Sequence, residues 1–157
     1  MKVNELKITY IEKSHQELSD VEQRLLKEAT QAAQKAYAPY SHFRVGAAVK
    51  LANGEILSGS NQENAAYPSG LCAERVAVYY ANARYPQSPI ETLLITVLDE
   101  NDDYRCEPVP PCGACRQVML EYEQQQGHPL RVLCLLQGGA VREVSSVADL
   151  MPFSFSM

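Results

Sequence analysis

Two short cysteine groups constrain this chain more than anything else in it: Cys72-Ala73-Glu74 near the middle, and Pro111-Cys112-Gly113-Ala114-Cys115 further on. Each stands where a loop turns into a helix, so a fold in which Cys72, Cys112 and Cys115 share one ion must bring two helix starts together. Cys112 and Cys115 are three apart and lie on one helical face. Unpaired N–H groups and the positive dipole end at a helix start favour thiolate over thiol. Zinc that only supports a fold is usually closed by four protein ligands, whereas catalytic zinc keeps three and leaves the fourth position for water. Three thiols with no evident fourth ligand point to chemistry, with one Zn2+ per subunit.

The bulk properties narrow the class. The 157 residues, 46% hydrophobic and 21% charged, suit one domain over 1–157, with 1–13 as an N-terminal extension. A net charge of -5 without a basic run gives phosphate backbones little to hold, so nucleic acid is not an expected partner. No stretch approaches the roughly 20 apolar residues of a membrane span, and Met1-Lys2-Val3-Asn4-Glu5 lacks the apolar core of a secretion signal. The expectation is a cytoplasmic protein that does not meet a membrane. Five cysteines, Cys72, Cys106, Cys112, Cys115 and Cys134, are an odd set that reads as reduced thiols rather than a disulfide framework. Cys134, in the apolar run from Leu130 to Leu136, reads as core.

Leu6 to Ile11 alternates weakly as a short leading strand, and the stretches beginning at Ser14 and Ser19 both fit a helix-opening capping box. A helix is expected to about Tyr37, where Pro39 stops it, with Val21, Leu25, Leu26, Ala29, Ala32, Ala33 and Ala36 on its inner face. Val45 to Leu51 and Glu55 to Gly59 flank Asn53-Gly54, the dipeptide suited to a two-residue hairpin turn. A helix from about Leu71 to Arg84 follows, then a buried strand from Ile90 to Leu98. Cys112 opens a helix that ends at Gly127 and Pro129, Leu130 to Leu136 is a second buried strand, and Ala140 to Val144 a third, with a helical turn near Ala148 to Met151. Strand and helix alternation gives an α/β fold, a mixed β-sheet with helices packed on its faces.

Three thiolates leave a divalent zinc with a local charge of -1, which weakens it as a Lewis acid unless a positive group draws charge from sulfur. Arg75, three residues after Cys72 on the same helical face, is placed to do so from outside the ligand set; otherwise it is a surface cation. Arg116 is a weaker candidate. Zinc lowers the pKa of a bound water to about 7, and Glu74 can take a proton from that water and return it to a leaving group. The alternative for Glu74 is a surface glutamate favoured by the helix dipole.

These residues resemble the zinc-dependent deaminases, and more narrowly the small homotetrameric cytidine deaminases of pyrimidine salvage. The resemblance is carried by Tyr40 to Ala48, Asn61 to Tyr67, Cys72 to Arg75, Pro111 to Gln117 and Leu150 to Phe153, in family order. It implies hydrolysis of cytidine and deoxycytidine to uridine and deoxyuridine with release of ammonia, Glu74 passing one proton to ring N3 and then a second to the departing amine. It also implies ribose contacts from Asn61 and Glu63, stacking of Phe43 on the base, reading of the pyrimidine edge by the Ala73 backbone, and a place for Tyr67 among the substrate contacts. Read without the family, Asn61 and Glu63 equally cap a loop, and Phe43 is core. The family's homotetramer places active sites near subunit interfaces, so the Phe153 and Phe155 tail either reaches a neighbour or packs at home.

The chain departs from the family pattern at Arg44, where proline is common, at Pro68-Ser69-Gly70-Leu71, and in the residues before the first helix; the rim of the pocket is where these bear. Three alternatives stay open. A nucleic-acid deaminase shares the chemistry but needs a basic surface. A deaminase of another aminopyrimidine nucleoside, of the blasticidin type, would use the same catalytic residues. A structural zinc module would use Cys106 to complete a four-cysteine set.

Overall fold

The computed structural model describes residues 1–99, 101–104 and 108–155. Among the described residues six strands form one sheet: β1 (Ile11–Lys13), β2 (Arg44–Leu51), β3 (Ile56–Ser60), β4 (Ile90–Leu98), β5 (Arg131–Leu135) and β6 (Val141–Val144), in the order β1-β6-β5-β4-β2-β3. Among the described residues β4 and β5 are the one parallel pair of the sheet, with Leu93 opposite Val132 and Ile95 opposite Cys134. The sheet is therefore mixed, as the alternation of elements predicts.

Among the described residues three α-helices cover it: α1 (Asp20–Gln34), α2 (Ala73–Arg84) and α3 (Gly113–Gln126). Because β4 is buried on both faces, its side chains divide between two apolar cores: Leu94 packs with Leu25, Leu26 and Ala29 of α1, while Leu93 and Ile95 pack with Ala77, Val78 and Met119 of α2 and α3. One helix lies on one face and two on the other. Cys134 is buried on the two-helix side, as expected of a core cysteine.

Gly59 on β3 lets α2 sit close: a Cβ there would fall 2.8 Å from the Ala77 backbone nitrogen. That approach fixes the start of α2, which carries Cys72 to Arg75. At the C-terminal end of α3, Gly127 (φ 62) closes the helix in the left-handed conformation, as the sequence predicts.

Four local expectations are corrected. The leading strand is Ile11–Lys13, not Leu6 to Ile11, because these are the residues that meet β6, with Lys13 opposite Val141. Helix α1 ends at Gln34, short of Tyr37, because the Tyr37 N–H donates to the Asn61 carbonyl and the Tyr37 carbonyl accepts from the Glu63 N–H. Val21 is exposed and Glu22 turns inward in its place, since the Glu22 carboxylate closes a capping box with Ser19 and pairs with Lys13 and Arg131. The hairpin after β2 has three loop residues: Leu51 donates to the Glu55 carbonyl, and only Gly54 (φ 89) takes positive φ.

Both predicted capping boxes form, at Ser14 and at Ser19. Among the described residues no helix is long and apolar enough to cross a membrane.

Candidate active site

Because α2 and α3 lie on the same face, their first turns come together. Cys72 and Cys112 occupy the N-cap positions of α2 and α3, both with extended backbone, and Cys115 sits in the first turn of α3. The sulfurs stand 3.8 Å apart for Cys72 and Cys112 and 3.4 Å apart for Cys112 and Cys115, and all three lie within 4.8 Å of one another. Tetrahedral Zn–S bonds of about 2.3 Å place sulfurs about 3.8 Å apart. The donor set thus fits zinc in element, number and spacing. Among the described residues no fourth His, Cys, Asp or Glu joins the cluster. Cys106 lies outside the described residues.

The electrostatics point the same way. The Cys72 thiol is held down at about 5, because the Cys115 thiol donates to its sulfur and, against the opposing effect of burial, Arg75 adds its positive charge. Cys115 is pushed up by that same bond to Cys72, then by burial and by Glu74. One negative charge is easy here and a second is not. Three thiolates in so small a space need a cation.

Glu74 is buried, at 5% exposure, so it is not a surface glutamate of the first turn. Burial raises its pKa, and the neighbouring Cys72 charge adds to the rise. Arg75 Nη2 lies 3.9 Å from Cys72 Sγ, within reach of a hydrogen bond to sulfur. Arg116 faces elsewhere: its Nε donates to the Pro111 carbonyl and its Nη1 to the Leu150 carbonyl, bracing the loop before Cys112 against the C-terminal turn.

A cavity of about 630 Å³ opens beside the thiols. Its wall brings together Cys72, Cys112, Glu74 and Arg75 with Phe43, Asn61, Glu63 and Tyr67. Phe43 is half-buried and packs at the edge of the two-helix core. Ala73, the first residue of α2 and the neighbour of Cys72, is fully buried. Asn61 is buried; its Oδ1 accepts from the Val45 N–H and its Nδ2 donates to the Phe43 carbonyl, both at 2.8 Å. Glu63 accepts from the backbone N–H groups of Tyr40 (2.9 Å) and Ser41 (3.3 Å) and from the Ser41 hydroxyl. These bonds, the Ser41 hydroxyl first, lower its pKa. Asn61 and Glu63 therefore brace the 40–45 segment and face the cavity at once. Tyr67, at 83% exposure, stands on the rim.

Sequence reasoning missed Ser41, Val109 and Pro110, which also line the cavity. Ser41 had a usable signal, a small hydroxyl two residues before an aromatic in a turn; Val109 and Pro110 reach the wall only through tertiary folding. Phe153 (101% exposed) and Phe155 (70%) do not pack at home.

The family model described as the cytidine and deoxycytidylate deaminase zinc-binding region matches residues 19–126, a span that holds all three clustered cysteines. The chain belongs to this deaminase family. It is 40% identical over 134 residues to a cytidine deaminase of Halalkalibacterium halodurans, covering 85% of this chain and 93% of that protein. It is 37% identical over 118 residues to one from Mycobacterium tuberculosis, covering 73% of this chain and 84% of the relative. Among solved structures, the cytidine deaminase of Burkholderia pseudomallei superposes with a TM-score of 0.72 at 38% identity, over 85% of this chain and 98% of that one. The deaminase match begins at Ser19, the N-cap of α1, so β1 precedes it.

Proposed function

We propose that this chain is a zinc-dependent cytidine deaminase, which hydrolyses cytidine and deoxycytidine to uridine and deoxyuridine with release of ammonia. The observation that carries the reading is the juxtaposition of three thiols, a buried carboxyl and a nucleoside-sized cavity in a chain 40% identical to a cytidine deaminase. Cys72, Cys112 and Cys115 hold the metal. When bound, zinc supplies a Lewis acid and lowers the pKa of a water at its open position to about 7.

The protein's own residues do the rest. Glu74, screened from solvent, takes a proton from the attacking water and delivers it to ring N3, then takes the proton of the new C4 hydroxyl and delivers it to the amine as the C4–N bond breaks, the work of a general acid and base. Arg75 draws charge from the Cys72 sulfur and keeps the metal electrophilic. Phe43 stacks on the base, and the Ala73 backbone reads its edge. Asn61 and Glu63 take the sugar: each keeps hydrogen-bonding capacity beyond its bonds to the chain, and a site built on such bonds strongly rejects ligands that lack the hydroxyls. Tyr67 covers the rim.

The assembly is a homotetramer with active sites near subunit interfaces. Exposed Tyr67, Tyr79, Tyr80 and Phe153 support a surface covered by other copies. The substrate is a free nucleoside rather than nucleic acid, consistent with the net charge of -5. The setting is the cytoplasm, in pyrimidine salvage.

Zinc-loaded protein is expected to release ammonia from cytidine and deoxycytidine, followed by the loss of cytidine absorbance. Release only from another aminopyrimidine nucleoside, such as blasticidin, would overturn the substrate assignment while keeping the chemistry. Glu63→Ala is expected to raise KM for cytidine far more than for free cytosine; equal effects would remove Glu63 from the sugar wall.

A further inference from the structure

The sugar wall of the cavity depends on how one flexible carboxylate is held. The terminal torsion of a glutamate is broad and roughly two-fold, so the plane of the Glu63 carboxylate is fixed only by what donates to it. Tyr40 N–H and Ser41 N–H both reach Oε2, and the Ser41 hydroxyl is the donor to Oε1. A carboxylate offers about four lone-pair sites; three are taken by the chain, and one on Oε1 is left for a ligand hydroxyl.

The same hydroxyl has a second bond. The chain turns through His42 in the left-handed region (φ 53), an uncommon conformation for a residue other than glycine. That turn brings the Phe43 N–H to 3.0 Å from Ser41 Oγ, which accepts it. The Phe43 carbonyl is held from the other side by Asn61 Nδ2 at 2.8 Å. Phe43 is thus pinned at both its N–H and its carbonyl by residues of the sugar wall.

We infer that Ser41 is a positioning residue for the substrate: its hydroxyl joins the Glu63 carboxylate to the Phe43 backbone, so that the group meeting the sugar and the ring meeting the base are held in one register. This rests on the reading that Glu63 and Phe43 contact the nucleoside. Ser41 itself is exposed, so water can satisfy the partners it would leave, and its loss costs the fold little. Its loss costs the substrate more, because Glu63 Oε1 loses its donor and the Phe43 N–H loses its acceptor.

The test is a double-mutant cycle on KM and kcat for cytidine, with melting temperatures recorded for every variant. Ser41→Ala is expected to raise KM about fivefold to tenfold, the size of one ordinary hydrogen bond, with kcat within about twofold and the melting temperature unchanged. Ser41→Thr keeps the hydroxyl and is expected to recover most of the loss. In a Glu63→Ala background Ser41→Ala is expected to have a clearly smaller effect than in the wild type, because the carboxylate is gone and only the bond to the Phe43 N–H is left to lose. An undiminished Ser41→Ala effect in that background overturns the inference, as does a KM that Ser41→Ala leaves unchanged while Glu63→Ala raises it. If Glu63→Ala itself leaves KM unchanged, the sugar-wall reading falls and the inference falls with it.

Discussion

Two clusters of buried charge sit in this molecule, and they differ in how their books close. Beside α1, Lys13 and Arg131 face Glu22 and Glu143 in a closed ring: Lys13 lies 2.9 Å from Glu22 and 2.7 Å from Glu143, and Arg131 lies 2.8 Å from each. Two cations meet two anions. At the starts of α2 and α3, three thiols and the buried Glu74 face Arg75, whose Nη2 approaches the Cys72 sulfur at 3.9 Å. The first cluster is complete within the chain and needs nothing. The second requires a cation from outside, which is the physical difference between a charge cluster that holds a fold and one that binds a ligand.

The largest expected effect breaks the second cluster. Cys112→Ala should release zinc and abolish turnover, checked by metal content and ammonia production, while the Lys13 and Arg131 ring stays intact. Zinc retained at the wild-type level would mean that the cluster had another ligand.

Next in size is the opposite break. Arg131→Met leaves Glu22 and Glu143, both buried, with Lys13 alone. Stripping one partner from buried ion pairs typically costs 3–5 kcal/mol; Arg131 is itself 38% exposed, which reduces this to about 2 kcal/mol. Denaturant melts should show that loss with kcat unchanged, because the ring touches nothing in the cavity.

Acid sharpens the same contrast. Burial would raise the Glu22 pKa, yet hydrogen bonds from Lys13, Ser19 and Arg131 more than reverse this and hold it at about 2. A carboxyl lowered in the folded state contributes stability that is fully present above its ordinary pKa of about 4.3 and is lost as pH falls towards the folded value. Glu22→Gln should therefore be less stable than wild type at neutral pH and lose less further stability between about pH 4 and pH 2, as read from acid unfolding.

The smallest effect concerns a buried polar atom in neither cluster. Thr96 Oγ1, on β4 under α1, has no hydrogen-bond partner among the described residues. Thr96→Val should be neutral or stabilising by up to about 1 kcal/mol; a clear loss would mean that the hydroxyl has a bound water as partner.

Much of the metal centre was legible in the sequence because its parts are local. Cys72 and Cys112 lie at helix starts that the pattern of apolar residues already marks, and Cys112 and Cys115 share a helical face by spacing alone. The mixed sheet was legible in the alternation of strands and helices, and its buried strand β4 in the length and branching of Ile90 to Leu98. What escaped depends on distant partners. Glu22 looked like an N-terminal capping residue, which it is, but its second role needs Arg131, more than a hundred residues away. Val21 was read as core because the helical period favours it, and the inward turn of Glu22 displaced it. Helix α1 stops early because Asn61 and Glu63 draw Tyr37 out of it, and the double duty of Asn61 and Glu63, bracing a segment while facing the cavity, could not be separated into cap or contact from sequence.

The most direct test of the second cluster as a reaction centre is cytidine turnover by zinc-loaded Glu74→Gln protein, with zinc content measured on the same sample. Zinc at the wild-type level with kcat lower by about 10²–10⁴ is expected of a lost proton carrier. Turnover undiminished with zinc in place would contradict the assignment of Glu74 and, with it, the reading of this site as a deaminase built around that carboxyl.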